Sequence, residues 1–309
     1  MFIEQSLKYK NPFWMYLLGS FVIIIFNVIG QIPLTVVMFQ ESPMGMEPGQ
    51  DPMEMLRGVE KNLQLFLLLI PFLISFLGLW LVVRKLHNRS MLSITTSRKQ
   101  IDWQRVFYAF SIWGAATAVL VGFDYFMSPE NYEWNFKPIP FLIMVVIAVA
   151  LVPIQTSLEE YIFRGYLMQG FGRLFRNRWA PLLMTSLIFG MLHIANPEVA
   201  KLGYGIMAYY IGTGLFLGIL TLMDEGMELA LGFHAANNLI TAILVTATWT
   251  AFQTESLLID LSEPNLTNQL LLSLGILYPL FLFIVAKKYS WQQWKEKLTG
   301  KIHEPTETE

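Results

Sequence analysis

Apolar residues gather into long runs separated by polar stretches. The runs lie near Phe13 to Phe39, Leu63 to Val83, Val106 to Phe126, Ile139 to Ile154, Pro181 to Ile194, Gly203 to Met223, Leu229 to Thr248 and Leu270 to Ala286. Most approach the roughly 20 residues that an α-helix needs to cross a hydrocarbon core. The pattern predicts an all-α polytopic membrane protein of about eight transmembrane helices. The fifth run is short. The fourth passes Pro153 into an acidic stretch, and a proline there removes a backbone donor, which predicts a broken or kinked fourth span. The first run is far longer than a signal-peptide core and has no small-x-small cleavage site, so it reads as an uncleaved span.

The polar stretches orient the chain. Lysines precede the first run; Arg84, Lys85, Arg89, Arg98, Lys99 and Arg105 follow the second; Arg173, Arg176 and Arg178 follow the fourth; Lys287, Lys288, Lys295 and Lys297 follow the eighth. Basic residues mark cytoplasmic loops, so both termini are expected in the cytoplasm and the protein in the cell membrane. Asp224, Glu225 and Glu228 after the sixth run blur this without reversing it, because acids weigh little in the rule. The other exits carry mostly acids, including Glu41, Asp51, Glu130, Glu133, Glu198, Glu255 and Asp260. Glu41 to Lys61, rich in Pro, Gly, Met and acid, reads as a solvent loop. In the cytoplasmic tail, residues 287–309, Trp291 and Trp294 among lysines suit a short interfacial helix, ahead of a polar end expected to be disordered. No repeat, low-complexity tract or linker divides the chain, so residues 1–309 read as a single membrane domain.

Composition agrees: 54% hydrophobic and 14% charged residues are too apolar a mixture for an ordinary soluble domain. A net charge of -2 with no basic stripe outside the segment flanks argues against a nucleic-acid partner. The absence of cysteine removes disulfides, thiolate catalysis and Cys-ligated metal.

Candidate chemistry lies in Ser157 to Arg164, where two adjacent carboxylates and a guanidinium interrupt lipid-compatible sequence. An ionisable group at membrane depth is costly unless paired or facing a wet cavity, so it is read first as functional. On a helix, Glu160 and Arg164 are four apart with the acid N-terminal, the favourable order for an ion pair. Glu159 points about 100° away, free for another partner. Phe189 and His193 share one face of the fifth run, and His234 and Asn238 one face of the seventh. His234 lies roughly 15 Å and His193 roughly 22 Å from their basic or acidic flanks at 1.5 Å per residue, depths at which both could meet Glu159. Singly, each has a structural reading: a buried ion pair locks helices together, and polar side chains bridge helices in membranes. His87 and His303, in a basic loop and the tail, are assigned no role. Together, a glutamate, two histidines and an asparagine can activate water and hold an oxyanion. Two histidines and a carboxylate also form a familiar zinc set. No His-Glu-x-x-His helix is present, and metal-free water activation is equally open.

Glu159-Glu160-x-x-x-Arg164, Phe189-x-x-x-His193 and His234-x-x-x-Asn238, in that order on successive late spans, resemble the three-motif signature of the CPBP family. These are CAAX proteases and bacteriocin-processing enzymes, including the type II CAAX prenyl endopeptidases and the Abi proteins. The motif-bearing core covers about residues 139–248. The resemblance implies that Glu159 activates water with help from His193. It implies that His234 and Asn238 complete the site by stabilising the oxyanion, or, in the family's metalloprotease reading, that His193, His234 and Glu159 hold zinc. Glu160 and Arg164 would support the site. The expected activity is an intramembrane endopeptidase acting on a peptide or protein substrate, lipidated or not, in contact with membrane lipid. The rivals are a non-proteolytic scaffold or bacteriocin-immunity protein of the same family and a proton-coupled transporter, the latter weakened by the lack of an internal repeat.

Overall fold

In a computed structural model of the chain, residues 1–41 and 58–303 are described. Most of the solvent loop expected between Glu41 and Lys61, Asp51 included, lies outside them, as does the polar end of the tail. The fold is mostly helical: α1 (Phe13–Glu41), α2 (Lys61–Leu81), α3 (Leu92–Thr95), α4 (Trp103–Met127), α5 (Pro138–Glu160), α6 (Met168–Phe175), α7 (Trp179–Met191), α8 (Pro197–Leu202), α9 (Met207–Asp224), α10 (Glu228–Leu244), α11 (Leu266–Leu270), α12 (Tyr278–Lys288) and α13 (Trp294–Thr299). Side-chain caps start two of the long ones. Glu60 accepts from the Leu63 N–H at the head of α2, and Asp102 from those of Gln104 and Arg105 at the head of α4, satisfying donors that have no partner within the first helical turn.

Among the described residues, six helical stretches are long and apolar enough to cross a membrane: Phe13–Gln40, Lys61–Leu86, Trp103–Met127, Pro138–Phe175, Tyr204–Asp224 and Leu266–Lys288. This is fewer than the eight expected. The fifth and seventh apolar runs form α7, of 13 residues, and α10, of 17. At 1.5 Å per residue these reach roughly 20 and 26 Å, short of a hydrocarbon core of roughly 30 Å. Local structure sets both limits: α7 gives way to turns after Met191, and α10 ends at Val245, whose extended backbone opens strand β2 (Val245–Ala247).

The fourth run is not broken at Pro153. The α-helix continues through Pro153 to Glu160, and the irregular turn follows later, as a π-helical segment over Tyr161–Leu167 that leads into α6. The Thr156 hydroxyl donates to the Val152 and Pro153 carbonyls beside the proline. Widened turns of this kind recur at functional sites, and this one carries Arg164 directly after the acid pair.

Two clusters of buried side chains hold the site's helices. Trp113 of α4, Phe216 of α9, Phe233 of α10 and Tyr278 and Phe281 of α12 pack together, with the Trp113 and Phe233 rings 4.2 Å apart. Leu158, Tyr161 and Tyr166 pack instead against Tyr16 and Ile23 of α1 and Leu79 of α2. Thus α10 and the end of α5 are each anchored by a neighbouring residue, Phe233 beside His234 and Leu158 beside Glu159. Gly232 lets α10 lie directly on α4: a Cβ there would meet the Val106 carbonyl oxygen at 2.0 Å. At one end of the bundle a small sheet, ordered β1 (Tyr132–Trp134), β3 (Leu258–Asp260), β2, pairs β1 antiparallel and β2 parallel to β3. Large apolar side chains such as Phe107, Val119, Phe126, Ile139 and Phe283 are exposed, as expected of surface that lipid covers.

Candidate active site

The end of α5, the π segment, α7, α9 and α10 converge on the acid pair. Glu160 and Arg164 are fully buried, and the Arg164 Nη1 donates to Glu160 Oε1 at 2.9 Å. Arg164 Nη2 donates to the Gly214 carbonyl of α9 at 3.1 Å, and the guanidinium carbon lies 4.4 Å from the centre of the buried Phe189 ring. A guanidinium in this setting has its charge met by a carboxylate, a carbonyl and a ring face, the combination that a desolvated cation requires.

Glu160 has a second partner. His234 Nδ1 sits 2.8 Å from the same Oε1 that accepts from Arg164. An ionised carboxylate can only accept, so the proton of this contact belongs to Nδ1, and the imidazole is held with Nε2 turned the other way. There Nε2 lies 3.7 Å from Glu159 Oε2, beyond direct hydrogen-bond range. The other Glu159 oxygen accepts from Gln155 Nε2, one turn back on α5, and Gln155 Oε1 in turn accepts from Asn238 Nδ2 at 3.3 Å. Asn238 is also fixed through its oxygen, which accepts from Asn237, whose own oxygen accepts from the Trp113 indole at 3.0 Å. Glu160 is sealed away, whereas the Glu159 side chain keeps 16% of its accessibility. With both acids ionised, Arg164 protonated and the histidines neutral, the cluster carries one net negative charge.

His193 lies at the edge of this arrangement. Its Nδ1 is 2.8 Å from the Phe189 carbonyl, an acceptor, so Nδ1 carries the proton and Nε2 offers a lone pair while the ring is neutral. The ring stacks on Tyr210 at 4.4 Å. Phe189 connects the two histidines, with ring centres 4.8 Å from His193 and 6.3 Å from His234.

The structure therefore brings Glu159, Glu160, Arg164, His234 and Asn238 together, with His193 joined through an aromatic ring. The expected split, in which Arg164 and Glu160 only balance each other, is incomplete: Glu160 is shared between Arg164 and His234. Among the described residues no group of three or more His, Asp or Glu side chains is gathered so as to hold a metal ion. Both histidines are held through Nδ1 and leave Nε2 free, but the zinc set of Glu159, His193 and His234 is not gathered in this arrangement. Sequence reasoning missed Gln155, although a lone amide four residues before Glu159 in an otherwise apolar run was a usable signal. It also missed the Gly214 carbonyl, which no side-chain pattern announces. Phe189 is the ring on which Arg164 and both histidines converge.

Residues 137–240, from the head of α5 to most of α10, match the family described as type II CAAX prenyl endopeptidase Rce1-like. The chain is also 29% identical over 254 residues to the uncharacterized protein YyaK of Bacillus subtilis, covering 78% of this chain and 81% of that one. No solved structure matches it.

Proposed function

We propose, from the match of residues 137–240 to the Rce1-like type II CAAX prenyl endopeptidase family, that this multi-pass membrane protein is an intramembrane endopeptidase whose general base is Glu159. The observation that carries the reading is the unequal treatment of two adjacent carboxylates. Glu160 is buried with its Oε1 held by both Arg164 and His234, while the partly accessible Glu159 keeps an oxygen facing His234 Nε2 across 3.7 Å. With neutral His234 these two atoms are both acceptors, and a water donating to each satisfies them.

In this reading Glu159 takes a proton from that water as its oxygen attacks the carbonyl carbon of the scissile bond. The tetrahedral oxyanion is met by an N–H of Asn238, which has a second donor besides the one spent on Gln155. The protonated Glu159 then delivers its proton to the departing amine, so base and acid are one residue. Glu160 holds His234 in one tautomer and orientation, and Arg164 supplies the counter-charge to Glu160. His193, with its Nε2 lone pair beyond the Phe189 ring, assists at the substrate side. Every step is written with one water and side chains of this chain.

The proposal commits to peptide-bond hydrolysis at a membrane boundary, and the assay varies the lipid. Purified protein in vesicles is given a peptide ending in a prenylated C-terminal motif and the same peptide unmodified. Wild type cleaves at least one of them and His234→Ala cleaves neither. Persistence of the protein's cellular function in His234→Ala, with no cleavage by wild type, would establish a scaffold in place of an enzyme.

A further inference from the structure

Outside the acid pair and its partners, at the C-terminal end of α2, lies a cleft of about 380 Å³ lined by Trp80, Arg84, Lys85, Asn88, Arg89 and Ser90. Its lining has three cations and no carboxylate. Arg84 and Lys85 are exposed, and among the described residues neither has an ion-pair partner. Arg89 is buried, yet its partners are neutral: the Tyr16 hydroxyl, the Ser93 hydroxyl and carbonyl, and the Gln169 amide oxygen. Those contacts use four of the five N–H donors of a guanidinium, and the guanidinium carbon lies 4.9 Å from the Tyr9 ring centre, so one donor is unspent and no carboxylate balances the charge. A desolvated cation without a counter-charge is costly, and the protein nonetheless builds it in, fixed by four hydrogen bonds. The backbone between the surface pair and Arg89 reverses at Asn88, whose φ is +52°, which brings a buried and two exposed cations around one space.

The level of the cleft narrows the ligand. It sits where the spanning stretch Lys61–Leu86 ends, and Trp80 exposes its indole there, a residue that favours the headgroup region. We propose that this cleft binds the phosphate of an anionic lipid headgroup. Arg84 and Lys85 neutralise the charge, Arg89 contributes the fixed donor, and Trp80 lies along the lipid. A soluble phosphate shares that chemistry but has no use for the exposed indole, and the experiment separates the two.

Protein purified in detergent is titrated with phosphatidylglycerol, with phosphatidylcholine and with inorganic phosphate, and bound species are read by native mass spectrometry. Arg84 and Lys85 are exposed, so the double variant R84Q/K85Q folds where a change at Arg89 would disturb the core; K287Q/K288Q removes the same charge at another span end. The site predicts that wild type prefers phosphatidylglycerol to phosphatidylcholine and that inorganic phosphate does not displace it. It also predicts that R84Q/K85Q weakens phosphatidylglycerol binding by about tenfold or more, given the contribution of each basic residue near a charged surface, while K287Q/K288Q leaves it unchanged. Equal losses in the two double variants, or no headgroup preference, would overturn the site. Displacement of the lipid by inorganic phosphate alone would overturn the lipid assignment.

Discussion

Replacing Arg164 by methionine keeps most of the apolar stem while removing the charge. The variant forfeits the hydrogen bonds to Glu160 at 2.9 Å and to the Gly214 carbonyl at 3.1 Å, and the face contact with Phe189. Glu160 is left fully buried with only His234 beside it. Breaking a buried pair from one side costs about 3–5 kcal/mol. Glu160→Gln keeps an acceptor for both partners but strands Arg164 as an unpaired buried cation, again a cost of about 3 kcal/mol. The double variant E160Q/R164M removes both charges, so its destabilisation falls short of the sum of the singles by about 1–3 kcal/mol. The assay is equilibrium unfolding in mixed micelles, followed by tryptophan fluorescence. A loss in Arg164→Met below about 0.5 kcal/mol, the range of an ordinary surface change, or strict additivity in the double variant, would refute the argument that this pair is a coupled, desolvated unit.

Three further outcomes follow from separate features. Gly232→Ala places a Cβ 2.0 Å from the Val106 carbonyl oxygen, so α10 must move off α4; unfolding measurements should show a loss of about 1–3 kcal/mol, with reduced cleavage because His234 rides on α10. Gln155→Ala releases one oxygen of Glu159 and one donor of Asn238 together, and should lower kcat by up to about 10²-fold with little change in the unfolding midpoint, as misplacement of a catalytic group does. His87 is 2% exposed and hydrogen-bonded through Nε2 to the Tyr166 hydroxyl; burial, aided by nearby Arg89, pulls its pKa down to about 4. Below the ordinary histidine value the unfolded chain takes up a proton that the folded chain refuses. Stability is therefore intact at neutral pH and declines as pH falls toward about 4, by at most about 3 kcal/mol; unfolding of His87→Phe against pH should lack that slope.

Much of this architecture was legible in the chain because lipid imposes a simple rule: a spanning helix must be long and apolar. That rule finds α1, α2, α4, α5, α9 and the α11–α12 stretch. It overstates α7 and α10, whose ends are set by backbone turns and by strand pairing that hydropathy does not register. Pro153 does not break α5, which stays helical to Glu160, and the irregular turn falls at Tyr161–Leu167. At the site, spacing announced that Glu160 pairs with Arg164 and that Glu159 faces elsewhere. That His234 reaches Glu160 is a tertiary fact, made by the close approach of α10, and no spacing within one helix contains it. His87 shows the same limit in reverse: a histidine in a basic loop is buried by Tyr16 and Tyr166, residues far from it in sequence.

The most direct test of the central claim is the rate of peptide cleavage by Glu159→Gln, measured beside wild type in the same vesicles with unfolding midpoints determined for both. Glutamine preserves size and can still accept from Gln155, but it cannot take a proton from water. The account predicts a fall of about 10²–10⁴-fold, the usual contribution of a positioned general base, at an unchanged midpoint. Cleavage at the wild-type rate by a folded Glu159→Gln protein would contradict it.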